Sequence, residues 1–137
     1  MLSLSRRGFL AASAATATSL VLPARVRAQS ARMSLTATSR TLDIKGRAAT
    51  VWGLTDGTGR SGLVLDPGQA FAVDLTNTLT EPTIIHWHGQ IPPNAQDGVP
   101  DMPMATLQPG ESRAYDFAAR PGTHWMHAHI PAHEMLL

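Results

Sequence analysis

Short stretches of alternating apolar and polar residues, separated by turn signals, constrain the fold of this chain more than any other feature. The turn signals include Asp56-Gly57, Pro67-Gly68, Pro109-Gly110 and Pro121-Gly122. Alternation predicts strands at Ser34 to Thr38, Ala49 to Gly53, Gly62 to Val64, Ala70 to Leu75, Thr83 to Trp87, Ser112 to Phe117 and Gly122 to Ala128. No amphipathic helix competes with these strands. The pattern predicts an all-β antiparallel fold, with Asn94 to Met104 as its one long loop.

The beginning of the chain is typical of an export signal. Arg6-Arg7 precedes an uncharged apolar run from Ala11 to Leu22, and Val26-Arg27-Ala28 places small residues at the −3 and −1 positions of a cleavage site. The paired arginines favour a twin-arginine (Tat) signal over residues 1–28, whereas an ordinary Sec signal is the alternative. The run is too short for a membrane span. We therefore expect a mature chain that begins near Gln29, contains no membrane span and is delivered to the periplasm or otherwise exported.

Composition bounds what the mature part can be. Residues 29–137 number about 110, which suits one domain with a modest core. All ten acidic residues lie in this part, whereas four of the eleven basic residues belong to the signal. The resulting acidic excess argues against nucleic acid or an anionic membrane as a partner. The sequence contains no cysteine, which excludes disulfides, a thiolate zinc site, a cysteine nucleophile and a complete blue-copper site.

Two His-x-His units stand on predicted strands: His86-Trp87-His88 and His127-Ala128-His129. Residues two apart on a strand share a face but lie roughly 6.5–7 Å apart, which is wide for chelation of one small ion. The pairs therefore suit a cluster of ions, with each histidine of a pair serving a different ion. Trp87 and Ala128 point to the opposite, core side. Neutral imidazoles indicate a transition metal such as copper, zinc, iron or nickel.

The remaining histidines and the methionines have simpler interpretations. His124 is out of phase with the second pair and is expected to pack or to support a ligand, whereas His133 is a loop histidine and a candidate for a functional role. Methionine sulfur could bind cuprous ion, but filling of the core is the favoured interpretation of this group. Its members are Met102, Met104, Met126 and Met135.

Several motifs along the chain resemble those of a known family. The motifs are Ile85-His86-Trp87-His88-Gly89, Asp97-Gly98-Val99-Pro100, Pro109-Gly110-Glu111 followed by Tyr115-Asp116-Phe117, and Gly122-Thr123-His124-Trp125-Met126-His127-Ala128-His129. Their order and spacing closely resemble the first domain of multicopper oxidases, the group of laccases, bacterial copper-resistance oxidases and ferroxidases. The likeness extends from about Leu35 to the end of the chain. It implies a cupredoxin-like (plastocyanin-like) Greek-key β-sandwich or barrel over residues 29–137.

The resemblance also implies a metal site and an activity. It makes His86 a type 2 copper ligand and makes His88, His127 and His129 ligands of the type 3 copper pair. Asp97 matches an acidic residue that helps to deliver protons, although it could equally be the Asp of an Asp-Gly turn. Two departures, Asp101-Met102-Pro103-Met104 in place of the usual Gln and Met126 in place of an aromatic, bear on subfamily and substrate. The implied reaction couples one-electron oxidation of a substrate to reduction of dioxygen to water.

Half of such a site would be missing from this chain. In the family the trinuclear cluster lies between the first and last cupredoxin domains, and the type 1 copper site requires a cysteine. We therefore expect a domain truncated before its closing strand and inactive alone, whose partners are copper, dioxygen and a C-terminal cupredoxin domain of the same protein or a second subunit. The reducing substrate stays open.

Two other functions stay open at this stage. One is a non-enzymatic periplasmic copper-binding module. The other is a cupin-type metalloprotein using Gly122, His127, His129 and Glu134, which leaves the first histidine pair unexplained. A copper nitrite reductase is excluded, because it would need a cysteine in this domain and the sequence contains none.

Overall fold

A computed structural model describes residues 31–101 and 104–130, and these residues form six strands in two sheets. The strands are β1 (Met33–Ile44), β2 (Arg47–Asp56), β3 (Ala70–Asn77), β4 (Ile85–His88), β5 (Ser112–Ala118) and β6 (Trp125–Ala128). One sheet has the order β2-β1-β3-β5 and the other pairs β4 with β6. The prediction of an all-β fold is confirmed, but the expectation of antiparallel pairing throughout is wrong, because β1 and β3 pair in parallel. In the described part of the chain no helix is long and apolar enough to cross a membrane.

Several sequence-based expectations lie outside the described residues. They concern the signal over residues 1–28, Met102, and the segment that contains His133, Glu134 and Met135.

β1 and β2 form a tight hairpin that is longer than alternation predicted. Lys45 and Gly46 make its two-residue turn with φ values of 54° and 76°. Positive φ at both positions is the geometry that matches the twist of a two-residue hairpin. The Asp43 carboxylate accepts a hydrogen bond from the Gly46 N–H at 2.8 Å. The register then runs from Ile44 opposite Arg47 to Leu35 opposite Asp56.

The predicted strand at Gly62 to Val64 is wrong. The Asp56 carboxylate accepts hydrogen bonds from the backbone N–H of Thr58 and of Arg60, which turns the chain as it leaves β2. Gly62 has a φ of 79°, outside the strand region, and Val64 is 85% exposed. The segment therefore continues as a surface connection to β3.

The core lies between the two sheets. The indole of Trp87 on β4 packs edge-on against Phe71 of β3 and Tyr115 of β5, with centroid distances of 4.8 Å in both cases. Phe71 also stacks on Phe117 at 4.4 Å. Burial raises the pKa of Tyr115, and the positive charge of Arg113 partly offsets that rise. These contacts fix β4, and therefore its histidines, relative to the larger sheet.

Asn77 anchors the connection from β3 to β4. This fully buried side chain donates to the carbonyl oxygens of Glu81 and Leu107, both at 2.9 Å, and accepts from the Leu79 N–H at 3.0 Å. Thr83 and Leu107 exchange two backbone hydrogen bonds. That bridge takes Thr83 out of the β4 ladder, which is why β4 begins two residues later than predicted.

Candidate metal centre

The two histidine pairs lie side by side because β4 and β6 are neighbours. In this antiparallel pairing His86 is opposite His127, and His88 is opposite Trp125. The two strands form the β4–β6 ribbon. The His129 N–H donates to the Ile84 carbonyl at 3.0 Å, which extends this ribbon by one residue beyond β6. Because side chains alternate along a strand, all four histidines are on one face.

The other face of the ribbon belongs to the core. Ile85 and Trp87 are 3% and 1% exposed, and Met126 and Ala128 pack against the core from β6. Met104 is also a member of the core. The expectation that the apolar partners point inward is met, and the two described methionines of the predicted group contact the core.

The four imidazoles converge. The centroid of the His86 ring lies 5.6 Å from His88, 5.4 Å from His127 and 5.5 Å from His129. His127 lies 5.7 Å from His88 and 5.8 Å from His129. One ligand nitrogen from each of His86, His88 and His127 falls within 4.8 Å of the others. This donor set of neutral nitrogen ligands fits copper, which binds imidazole well.

Backbone carbonyls orient two of the rings. The Nδ1 atom of His86 lies 2.8 Å from the carbonyl oxygen of Asp97, and the Nδ1 atom of His127 lies 3.0 Å from that of Ala128. A carbonyl oxygen can only accept, so in each neutral ring Nδ1 carries the hydrogen. The lone pair is then on Nε2, and that nitrogen is the one available to a metal.

Asp97 also brings its carboxylate close to His86. Its Oδ1 atom lies 3.4 Å from the same Nδ1 atom, and the Asp97 side chain is 33% exposed. Asp97 follows a short 3-10 helix, Asn94–Gln96, within the loop that was predicted to be irregular. Sequence reasoning singled out this residue for its side chain, whereas its shortest contact with His86 is through the backbone.

Trp125 is a member of the histidine face that sequence reasoning missed. Its ring stacks on His127 at 4.2 Å and 22° and lies 4.8 Å from His88, yet 56% of the residue is exposed. The same two-residue period that links His127 to His129 could have identified it. His124, by contrast, is exposed, and its Nε2 atom approaches the Pro121 carbonyl at 3.3 Å.

Comparison with known proteins agrees with this geometry. The profile described as Multicopper oxidase matches residues 36–136. The chain belongs to the multicopper oxidase family. Copper is the metal that this membership implies, and the expected cupredoxin-like fold is confirmed by solved multicopper oxidase structures. One from Pseudomonas thermotolerans is 34% identical with a TM-score of 0.63, covering 72% of this chain and 24% of that one.

Curated members of the multicopper oxidase family are much longer than this chain. Copper resistance protein A of Escherichia coli is 31% identical over 112 residues, which cover 81% of this chain but 18% of that protein. Multicopper oxidase MmcO of Mycobacterium tuberculosis is 39% identical over 64 residues, 46% of this chain and 12% of that protein. The chain thus spans less than a fifth of these relatives and corresponds to one copper-binding domain within them.

Proposed function

We propose that this domain supplies half of the ligands of a three-copper oxygen-reducing site, with His86 on the type 2 copper and His88, His127 and His129 on the type 3 pair. The observation that carries the proposal is the convergence of four imidazoles on one face of the β4–β6 ribbon, with His86 within 5.6 Å of the other three rings. The assignment of rings to copper types follows the family motif.

The other half of the site would come from a second cupredoxin domain, either in the same protein or in a second subunit. Four imidazoles on one surface leave the opposite side of each ion to other ligands, and the chain contains no cysteine for a type 1 copper. Bound copper would supply the electron transfer by which dioxygen is reduced to water. The reducing substrate would be set by the other domain.

The protein scaffold has a definable share in this function. Trp87 packs β4 against the core, so the imidazoles would be oriented before any ion arrives. The Asp97 carboxylate is partly exposed and lies 3.4 Å from His86 Nδ1, and in this proposal it would hold a proton between solvent and the site. We therefore assign to Asp97 the delivery of protons during oxygen reduction.

Residues 1–28 are proposed to be a twin-arginine signal, residues 29–137 the copper domain, and the site of action the periplasm. The support is the Arg6-Arg7 pair, the apolar run and the small residues before Gln29. Replacement of both arginines by lysine should abolish export in a cell-fractionation assay. Continued delivery of the double variant to the periplasm would overturn the Tat assignment.

Copper binding is the first test of the proposed function. The chain should bind cupric ion without an intense blue absorption, because that colour requires a copper–thiolate bond. Combined replacement of His88 and His127 by Ala should lower the copper stoichiometry measured by elemental analysis. The matched control His124→Ala should change it little. Equal stoichiometry in the wild type and the His88/His127 double variant would overturn the ligand assignment.

Oxygen consumption distinguishes an enzyme domain from a simple copper-binding module. The copper-loaded chain alone should not oxidise a phenol or cuprous ion, whereas the same domain within a protein that carries a His-Cys-His segment should. If that longer protein binds copper but reduces no oxygen, the module is the correct function.

A further inference from the structure

The loop that carries Asp97 is tied to β4 at three consecutive residues. The Trp87 indole Nε1–H donates to the Gln96 carbonyl at 3.1 Å, and His86 Nδ1–H donates to the Asp97 carbonyl at 2.8 Å. Gly98, with a φ of 79°, lies so close to the Ile85 carbonyl that a Cβ atom there would overlap it. The backbone from Gln96 to Gly98 therefore lies flat against β4.

Gln96 ties the same loop to the other sheet. Its side-chain Oε1 atom accepts a hydrogen bond from the backbone N–H of Asp116 at 2.6 Å. Asp116 belongs to β5, the edge strand of the four-stranded sheet, and this N–H points away from the β3 ladder. Because its carbonyl faces Trp87 and its side chain faces β5, Gln96 bridges both sheets next to the residue that contacts His86.

We propose that Gln96 is a positioning residue for copper binding: it holds the Asp97 carbonyl against His86 Nδ1 and thereby presents the lone pair of His86 Nε2 to the metal. The inference rests on the proposed role of His86 as a ligand. If the Asp97 carbonyl shifts away, Nδ1 loses its acceptor and the ring is free to populate the other tautomer and other orientations. Each of these changes reduces the fraction of chains in which His86 is ready to bind.

The test compares two replacements of nearly equal shape. Gln96→Met removes the acceptor for the Asp116 N–H, whereas Gln96→Glu keeps an acceptor oxygen at the same position. Gln108→Met makes the same change at an exposed turn and serves as the control. The samples are the full 137-residue chain.

The first measurement is the His86 tautomer in the metal-free protein, obtained from nitrogen-15 chemical shifts. We expect the Nδ1–H form in the wild type, Gln96→Glu and Gln108→Met, and a mixture of tautomers in Gln96→Met. The second is cupric ion affinity. Gln96→Met should weaken it by about 10-fold, the lower end for loss of a partner that orients a ligand, and Gln96→Glu should restore it.

A third measurement excludes a merely structural effect. In a His86→Ala background Gln96→Met should no longer change copper affinity, since the two residues act through one contact. Unchanged tautomer and affinity in folded Gln96→Met would overturn the inference and leave the proposed function intact. Were Gln96→Met to unfold, Gln96→Ala would take its place with the same expected results, and a dominant Nε2–H form of His86 in the wild type would overturn the inference by itself. If His86→Ala itself leaves copper affinity unchanged, it is the proposed function that fails.

Discussion

His86 and His127 are direct partners across β4 and β6, and their ring centroids lie 5.4 Å apart. This pair joins the two His-x-His units and forms the centre of the cluster, because each of its rings has three imidazole neighbours within 5.8 Å. His88 and His129 lie on either side of it. We therefore call His86 and His127 the central pair of the cluster, and His88 and His129 its end residues.

The central pair should matter most for binding the first copper ion. Replacement of His86 or His127 by Ala removes a ring with three imidazole neighbours. Loss of His88 or His129 instead leaves His86, His127 and one further imidazole as mutual neighbours. We expect the central variants to weaken affinity for the first cupric ion by about 100-fold and the end variants by about 10-fold. Isothermal titration calorimetry of the four variants measures this ranking. A stronger effect of His88→Ala than of His127→Ala would contradict it.

Asp97→Asn separates the backbone role of this residue from that of its carboxylate. The variant keeps the carbonyl that accepts from His86, so copper affinity should change by less than the roughly 10-fold expected for loss of a partner that orients a ligand. In a complete enzyme, loss of a proton-delivering group should lower turnover with oxygen by about 100-fold. The measurements are a copper titration of this chain and oxygen consumption by the longer protein. Full turnover with the Asn variant would remove Asp97 from proton delivery.

Gly98→Ala should be far more disruptive than the same change at Gly110. Both glycines have φ near 80°, but only at Gly98 would the new Cβ overlap backbone, that of Ile85, whereas Gly110 has open space. Gly110→Ala should lower the free energy of unfolding by about 1 kcal/mol through its φ alone. Gly98→Ala should lower it by about 3 kcal/mol or more. Urea unfolding of the two variants distinguishes the clash from the backbone preference, and equal losses would mean that the loop is not closely packed on β4.

The turn after β2 should weaken in acid. Hydrogen bonds from the Thr58 side chain and from the Arg60 and Thr58 backbone lower the pKa of Asp56 from 3.8. A lowered folded-state pKa contributes stability that is present above the unfolded value and is lost as pH falls through the folded one. Asp56→Asn should therefore flatten the pH dependence of stability below about pH 4. Thermal unfolding between pH 2 and 5 tests this, with Asp43→Asn as a matched hairpin control; parallel curves for the wild type and Asp56→Asn would contradict it.

Much of the fold and site could be predicted because both depend on a two-residue period. That period assigned His86 and His88 to one face and Trp87 to the core, and the structure agrees. The pairing of His86 with His127 could not be read from the period, since it depends on which strands become neighbours and in what register. The contact of His86 with the Asp97 carbonyl was equally hidden, because a backbone oxygen has no signature in the sequence.

Turns were the weaker part of the prediction. Lys45 adopts positive φ, which is uncommon for a residue with a Cβ, so its presence does not indicate a turn. Gly46 was therefore the only turn residue in the sequence between β1 and β2. At Gly62 the apolar residues that follow looked like a strand, but the Asp56 hydrogen bonds had already turned the chain. In both places a local conformation overrode the alternation.

The distance along the chain between β4 and β6 determines when the histidine face can assemble. The β1–β2 hairpin closes through a two-residue turn, whereas the pairing of His86 with His127 must close a much longer loop. We expect such a distant pair to form late in folding, because the entropy of loop closure is lost before the contacts compensate for it. An ion that binds this face should therefore stabilise the folded state but not the transition state for folding. In stopped-flow experiments cupric ion should slow unfolding while leaving the refolding rate nearly unchanged. A large acceleration of refolding would show instead that the histidines meet early, and the metal would then be a template on which the domain folds.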